Sequence, residues 1–175
     1  HLEEDTGKSF HPKGKDETLI DFNRAGTPLM ELVTEPVIKD AAQAKKFCQK
    51  FQQILRYLEI SQADMEKGEM RCEANVSVQK VGTFKYEKGE IKAKAGKKLN
   101  NKVEVKNINS FRALEKAINF EIERQTAQLE KKQEIIAETR GWDEKKNETV
   151  SQRIKETSAD YRYFPEPDIP PLEID

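Results

Sequence analysis

The chain has 175 residues, enough for one domain with a real core. Hydrophobic residues make up 35% and charged ones 36%, and 31 basic against 32 acidic side chains leave a net charge of -1. That balance, together with clear amphipathic segments, excludes the disordered class and removes any argument for nucleic-acid binding from overall positive potential. Cys48 and Cys72 form no disulfide framework and no zinc pattern, and no apolar run reaches membrane length, so the chain is expected in the cytoplasm without membrane contact.

In chain order, "HLEED" alternates like a strand, with His1, Glu3 and Asp5 on one side and Leu2 and Glu4 on the other. Its imidazole and carboxylates can be part of a cation site or simply a charged end. A turn-rich stretch follows through "TGKSFHPKGKDE"; "TGKS" lacks the glycine spacing of a phosphate-binding loop. "TLIDFNRAG" predicts a short strand and a break, and "TPLMELVTEP" a second strand ended by Pro36. "DAAQAKKFCQKFQQILRYLEI" predicts a helix capped by Asp40, with Phe47, Phe51, Ile54, Leu55 and Leu58 as its apolar stripe. Cys48 is expected to be a small buried hydrophobe on it.

"MRCEANVSVQK" predicts a strand with Cys72, Ala74, Val76 and Val78 on one face and Arg71, Glu73, Asn75 and Ser77 on the other. "KVEVKN" is its partner, and the lysine-rich interval between them is either a solvated loop or a phosphate-contacting edge. A second helix, "SFRALEKAINFEIERQTAQLEKK", is capped by Ser110, with Leu114, Ile118, Ile122 and Leu129 as its core stripe. "EIIAETRGWDEKKNETVSQR" predicts a hairpin, and "ADYRYFPEPDIPPLEI" an ordered extended end. The order is not the βαβ rhythm of a dinucleotide-binding fold. It predicts an α+β class, an antiparallel sheet backed by long helices.

A sheet face of carboxylates and amides is either solvated or the floor of a pocket for cations and phosphates. Glu3, Glu4 and Glu73 are the oxygen-donor type that Mg²⁺ prefers. Arg71, Lys106, Arg140, Arg153 and Arg162 suit phosphate oxygens.

Five strings carry a resemblance: "HLEEDTGKS", "DFNRAGTPLMELVTEP", "MRCEANVSV", "EVKNINSFRALEKAINFEIERQ" and "DYRYFPEPDIPPLEI". Together they resemble the B-subunit family of tRNA-dependent amidotransferases, whose archaeal E-type members share the same catalytic domain. The resemblance implies a glutamine synthetase-like β-α-β2-α unit. It implies ATP-dependent phosphorylation of the side-chain carboxylate of misacylated Glu-tRNA(Gln), Asp-tRNA(Asn) or both, followed by amidation with ammonia. The implied partners are a glutaminase A subunit, a C subunit and the misacylated tRNA; ATP and Mg²⁺ are the implied cofactors.

By position, the resemblance implies Glu3, Glu4 and Glu73 as metal-facing carboxylates that converge in space, and Glu4, Glu73 and Lys106 as catalytic. Lys8, Asn23 and Arg24 lie in matching blocks and, with Asn75, are expected on the nucleotide; Arg71, Arg153 and Arg162 are expected there by residue type, and Asp160, Arg162 and Tyr163 fall in a further matching block. Residues 1–175 are then expected to be part of the catalytic domain, without the segment bearing a "GLE-x-H" block and without the C-terminal tRNA-binding domains. Gly141 stands where a bulkier residue is usual, and Gln152 where Met is usual. The alternative is a non-catalytic scaffold fragment that contacts a partner subunit or tRNA.

Overall fold

The computed structural model describes residues 1–154 and divides the chain into two compact units, His1–Val37 and Ile38–Asp175. The first unit is two antiparallel ribbons. β1 (Leu2–Glu4) pairs with β4 (Pro28–Met30), and β2 (Lys8–Phe10) with β3 (Leu19–Asp21). β2 falls in the stretch read as turns, and β4 stops at Met30 rather than running on to Pro36. The reason for the early stop is the partner: β1 offers three residues, so the ladder ends with it. Every residue of this unit is exposed or half-buried, Leu2, Phe22 and Val33 prominently exposed among them.

The second unit holds two helices among the described residues. α1 (Ala41–Tyr57) starts at Asp40, whose carboxylate accepts from Gln43 N at 2.7 Å. Its buried face matches the expected stripe only at Leu55, with Phe51 half-buried. Ala41, Ala44 and Leu55 are buried and Cys48 is half-buried, whereas Phe47, Ile54 and Leu58 are exposed. The small side chains let α1 lie close against its neighbour. The larger ones form a second face at the same helical spacing, on which Phe47 and Phe51 stack at 6.3 Å. Periodicity finds both faces and does not say which one is covered.

α2 (Phe111–Glu130) is capped by Ser110, whose hydroxyl accepts from Ala113 N at 3.0 Å. Ala113, Leu114, Ala117 and Ile118 are buried, and the same face continues through Glu121 and Gln125. The expected stripe is right at Leu114 and Ile118; Ile122 and Leu129 are half-buried.

α2 packs on a four-stranded sheet of order β10-β9-β8-β5, and α1 packs on α2. The strands are β5 (Cys72–Val76), β8 (Val103–Ile108), β9 (Glu138–Asp143) and β10 (Glu148–Ile154). β5 and β8 run antiparallel, as do β9 and β10, but β8 and β9 are parallel. The sheet is therefore mixed, not antiparallel throughout. The chain leaves β8, returns along α2 and re-enters the sheet in the same direction, the crossover that a parallel neighbour requires. The α+β class stands. The expected hairpin over "EIIAETRGWDEKKNETVSQR" is β9–β10. The lysine-rich interval holds a hairpin of its own, β6 (Phe84–Glu87) and β7 (Glu90–Ala93). Its turn residues Lys88 and Gly89 have φ of 51 and 85, the left-handed pair that a two-residue hairpin turn needs. Under the sheet, Cys72, Val76, Val105, Ile108 and Trp142 meet Leu114, Ala117 and Ile118 of α2.

Candidate functional site

The other side of the sheet is polar, and its register sorts it into two rows. Asn75 pairs with Glu104 and Glu104 with Thr139, so the first row crosses β5, β8 and β9. Thr139 Oγ1 donates to Glu104 Oε2 at 2.8 Å, which fixes both side chains on this face. The second row places Glu73 of β5, Lys106 of β8 and Gly141 of β9 side by side.

An irregularity creates the second row. Cys72 pairs with Ile108 but Ala74 with Val105, so Lys106 and Asn107 both stand opposite Glu73. This is a β-bulge, which re-aims a side chain and increases the local twist. Asn107 takes the left-handed conformation that the bulge needs, φ 59, and its Nδ2 donates to Trp142 O at 2.9 Å. Lys106 Nζ then lies 3.4 Å from Glu73 Oε1 and 3.6 Å from Glu104 Oε1. Partial burial works against the ammonium. The charges of Glu73 and Glu104 and their hydrogen bonds outweigh it, and Lys106 titrates above the ordinary lysine range. A cation held between two oxygen-donor groups is the electrostatic signature of this face. Glu104 and Thr139 were not singled out in the sequence, although the alternation of "KVEVK" already puts Glu104 on the same face as Lys106.

A different polar cluster lies beneath the sheet. Glu121 of α2 is fully buried, and it accepts from Arg124 Nε, from Gln125 Nε2 at 3.0 Å and from Thr149 Oγ1 at 3.0 Å. Arg124 Nη2 also pairs closely with it. Arg140 Nε donates to Thr149 Oγ1 at 2.8 Å and its Nη1 to Glu138 Oε1 at 2.7 Å, and Arg140 stands 3.7 Å from Glu121. Burial alone would raise the Glu138 carboxyl. Hydrogen bonds from Ser151 and Arg140 and the charges of Arg140 and Arg124 reverse that and hold it below the usual carboxylate range. Arg140, a candidate for phosphate oxygens by type, is thus committed to the α2 side of the sheet.

In the first unit His1 Nε2 lies 2.9 Å from Glu3 Oε2, and Arg24 Nε is 2.8 Å from Asp5 Oδ2. Glu3 and Glu4 are successive strand residues and leave β1 on opposite sides. Lys8 Nζ lies 4.8 Å from the centre of the Phe10 ring, a cation–π contact. Asn23 N donates to Asp21 Oδ1 at 2.9 Å. Among the described residues, no three His, Cys, Asp or Glu side chains gather as a metal cluster.

The family described as GatB/GatE catalytic domain matches residues 1–175. The chain belongs to this family. The B subunit of the aspartyl/glutamyl-tRNA(Asn/Gln) amidotransferase of Roseiflexus castenholzii is 49% identical over 174 residues, covering 99% of this chain and 33% of the relative. The B subunits of the same name from Crocosphaera subtropica and Thermosipho melanesiensis are 46% identical over 179 residues and 48% over 178, each over 99% of this chain and 34% and 35% of theirs. The chain spans about a third of the length of these curated relatives.

Of the residues that the GatB/GatE resemblance implies, the second unit brings Glu73, Asn75 and Lys106 onto one face. Arg71 is exposed just ahead of β5, and Arg153 is exposed on β10 opposite Thr139. Glu3, Glu4, Lys8 and Arg24 belong to the first unit, and Arg162, Asp160 and Tyr163 lie outside the described residues. No helix among the described residues is long and apolar enough to cross a membrane.

Proposed function

We propose that the polar face of the sheet is part of the ATP-dependent kinase site of an aminoacyl-tRNA amidotransferase. In this reading the protein phosphorylates the side-chain carboxylate of Glu-tRNA(Gln) or Asp-tRNA(Asn). The observation that carries it is Lys106 held between Glu73 and Glu104 on an open sheet face, in a chain of the GatB/GatE catalytic-domain family. The element order over residues 29–130, β4, α1, β5 and β8, then α2, with the β6–β7 hairpin between β5 and β8, is read as a glutamine synthetase-like β-α-β2-α unit. A glutaminase A subunit, a C subunit and the misacylated tRNA are the proposed partners, and the cytoplasm the proposed setting.

The chemistry needs this kind of face. A carboxylate accepts ammonia poorly until one oxygen becomes a leaving group. An oxygen of the carboxylate attacks the γ-phosphorus of ATP, the bond from that phosphorus to the β–γ bridging oxygen breaks, and ADP departs with the electron pair. Ammonia then attacks the acyl carbon, the carbon–oxygen bond to phosphate breaks, and the attacking nitrogen loses a proton. Both reactants of the first step are anionic, so positive charge must hold them together.

The donor set fits Mg²⁺, because Glu73 and Glu104 present oxygen donors that already attract a cation, and Mg²⁺ prefers such oxygens. Glu3, Glu4 and Glu73 are proposed as the carboxylates that would hold the ion, which would supply charge beside the phosphoryl oxygens when bound. Lys106 stays protonated through the physiological range and neutralises negative charge at the transferring group. Asn75 offers a neutral donor one row away. Arg71, Arg153 and Arg162, with Lys8 and Arg24, are the proposed contacts to the nucleotide. Glu4, Glu73 and Lys106 are proposed as the catalytic set.

The test is transfer of the γ-phosphate from labelled ATP to aminoacyl-tRNA in the reconstituted complex, with glutamine hydrolysis measured alongside. Glu73→Gln keeps the shape and loses the charge, so it is expected to spare glutamine hydrolysis and slow phosphorylation roughly 100-fold or more. Near-normal phosphorylation by that variant removes Glu73 from the site.

A further inference from the structure

A second irregularity lies on the same face. On the β9–β10 ladder Ser151 pairs with Arg140 and Arg153 with Thr139, so Gln152 is an extra residue with no opposite number. Its neighbours fix its direction. Thr149 Oγ1 bonds Glu121 and the Ser151 hydroxyl pairs with Glu138, so both point under the sheet toward α2. Gln152 points the other way and lies over Gly141. A Cβ placed on Gly141 would fall 2.3 Å from Gln152 Nε2 and 2.9 Å from its Cδ. Gly141 is also the parallel partner of Lys106. Adjacent strands are about 4.8 Å apart. One bulge therefore turns Lys106 toward Glu73, and the other lays a carboxamide across the vacant Cβ position of the next residue in that row.

The placement is not explained by packing. Gln152 is exposed, and among the described residues its carboxamide has no hydrogen-bond partner. Nor does Gly141 answer to a backbone demand, since its φ lies outside the left-handed region. What the absent side chain does is leave room for the carboxamide beside a cation. Such a group has N–H donors to give, and the oxygens that a lysine gathers are anionic.

We propose that Gln152 is a further substrate-contacting residue of this face, its carboxamide donating from above Gly141 to an anionic oxygen that Lys106 also attracts. The proposal rests on the kinase reading of the face. The oxygen belongs either to a phosphate of the nucleotide or to the carboxylate that receives it, and the two sources separate by which Michaelis constant responds. Gly141 is a positioning residue, acting only through the space it leaves.

The experiment uses the full-length protein assembled with its partners, measuring phosphorylation at varied ATP and varied aminoacyl-tRNA. Gln152→Ala is expected to raise KM for one of the two roughly tenfold, the scale of a hydrogen bond to a charged group. Gln152→Glu keeps the shape but brings negative charge to an anion, so it should do at least as much harm. Gly141→Ala should reproduce Gln152→Ala, because its methyl meets the flexible end of Gln152 and pushes the carboxamide off the sheet while the melting temperature holds. The double variant should be no worse than either single one. If Gln152→Glu behaves like the parent, or if Gly141→Ala and Gln152→Ala leave both Michaelis constants within about twofold of it, the carboxamide touches no substrate and the inference falls alone. If Lys106→Ala and Glu73→Gln also phosphorylate normally, the kinase reading falls and takes the inference with it.

Discussion

Lys106 faces Glu73 across the β5–β8 ladder, Nζ 3.4 Å from Oε1, and the residue that puts it there is the next one, Asn107. Asn107 absorbs the bulge in a left-handed conformation and ties it to Trp142 O. Asn107→Ala is expected to lose both supports. The left-handed conformation costs a residue with a Cβ about 1–2 kcal/mol, and the lost amide bond about 1 kcal/mol more. Asn107→Gly keeps the backbone freedom and should be the milder change. Denaturant titration measures the difference; equal stability for both variants would mean that the bulge does not depend on this side chain.

Among the described residues, Glu121 is expected to be the most sensitive polar position. It is fully buried and answers two guanidinium groups, Arg124 and Arg140. Removing one member of a buried ionic set leaves the others uncompensated, at about 3–5 kcal/mol. Glu121→Ala should fall in that range, and Glu121→Leu should not rescue it, because the arginines remain. A loss below about 1 kcal/mol in urea denaturation would show that water reaches the cluster and replaces the carboxylate.

Glu138 gives a pH dependence with a definite sign. Its carboxyl is held below the ordinary range in the folded protein, so the unfolded chain binds its proton at higher pH than the folded one. The stability it contributes is present above the ordinary glutamate value of about 4.3 and is lost as pH falls through the lower folded value. Glu138→Gln should therefore be less stable at neutral pH and lose stability less steeply on acidification below about pH 4.5. Parallel stability–pH curves for parent and variant would contradict the assignment.

Much of this was legible in the sequence, for physical reasons. Asp40 and Ser110 announce their helices because a cap is a local interaction within a few residues. The alternation of "MRCEANVSV" and "KVEVKN" gives the two-faced strands, since side-chain period depends only on the backbone. What was hidden depends on partners distant in the chain. Phe47 and Ile54 look like core from spacing, yet Ala41 and Ala44 take that place because α2 approaches closely there. Glu121 and Gln125 look like surface, yet they are buried, Glu121 because Arg140 and Thr149 arrive from β9 and β10 and Gln125 because it bonds the backbone of Val76 and Val78 at the end of β5. The parallel pairing of β8 and β9 hides for the same reason. The bulge at Lys106–Asn107 left only a faint trace, an Asn in a strand, and the one at Gln152 none, because a register shift is a property of two strands together. Gly141 and Gln152 are far enough apart in the chain that nothing in the sequence pairs them; only the fold shows that they touch.

The two cysteines give the last prediction. Cys48 of α1 packs against the core that contains Cys72 of β5, and the two thiols influence each other's titration. Interaction with the Cys72 thiol favours a thiolate at Cys48 and draws its thiol below the ordinary range against the opposing effect of burial. The same interaction, with burial and the nearby Cys48 charge, pushes the Cys72 thiol up. Cys48 is also the less buried of the two. Alkylation requires the thiolate and access to it. Iodoacetamide near neutral pH should therefore label Cys48 well ahead of Cys72, with peptide mass spectrometry assigning the sites. Cys72→Ala removes that thiol without adding bulk, so the Cys48 thiol should move upward and the midpoint of its labelling rate against pH should rise. Cys72→Ser keeps an O–H donor and should hold that midpoint closer to the parent. If Cys72 reacts first, or if Cys72→Ala leaves the Cys48 profile in place, the two thiols are neighbours without being coupled.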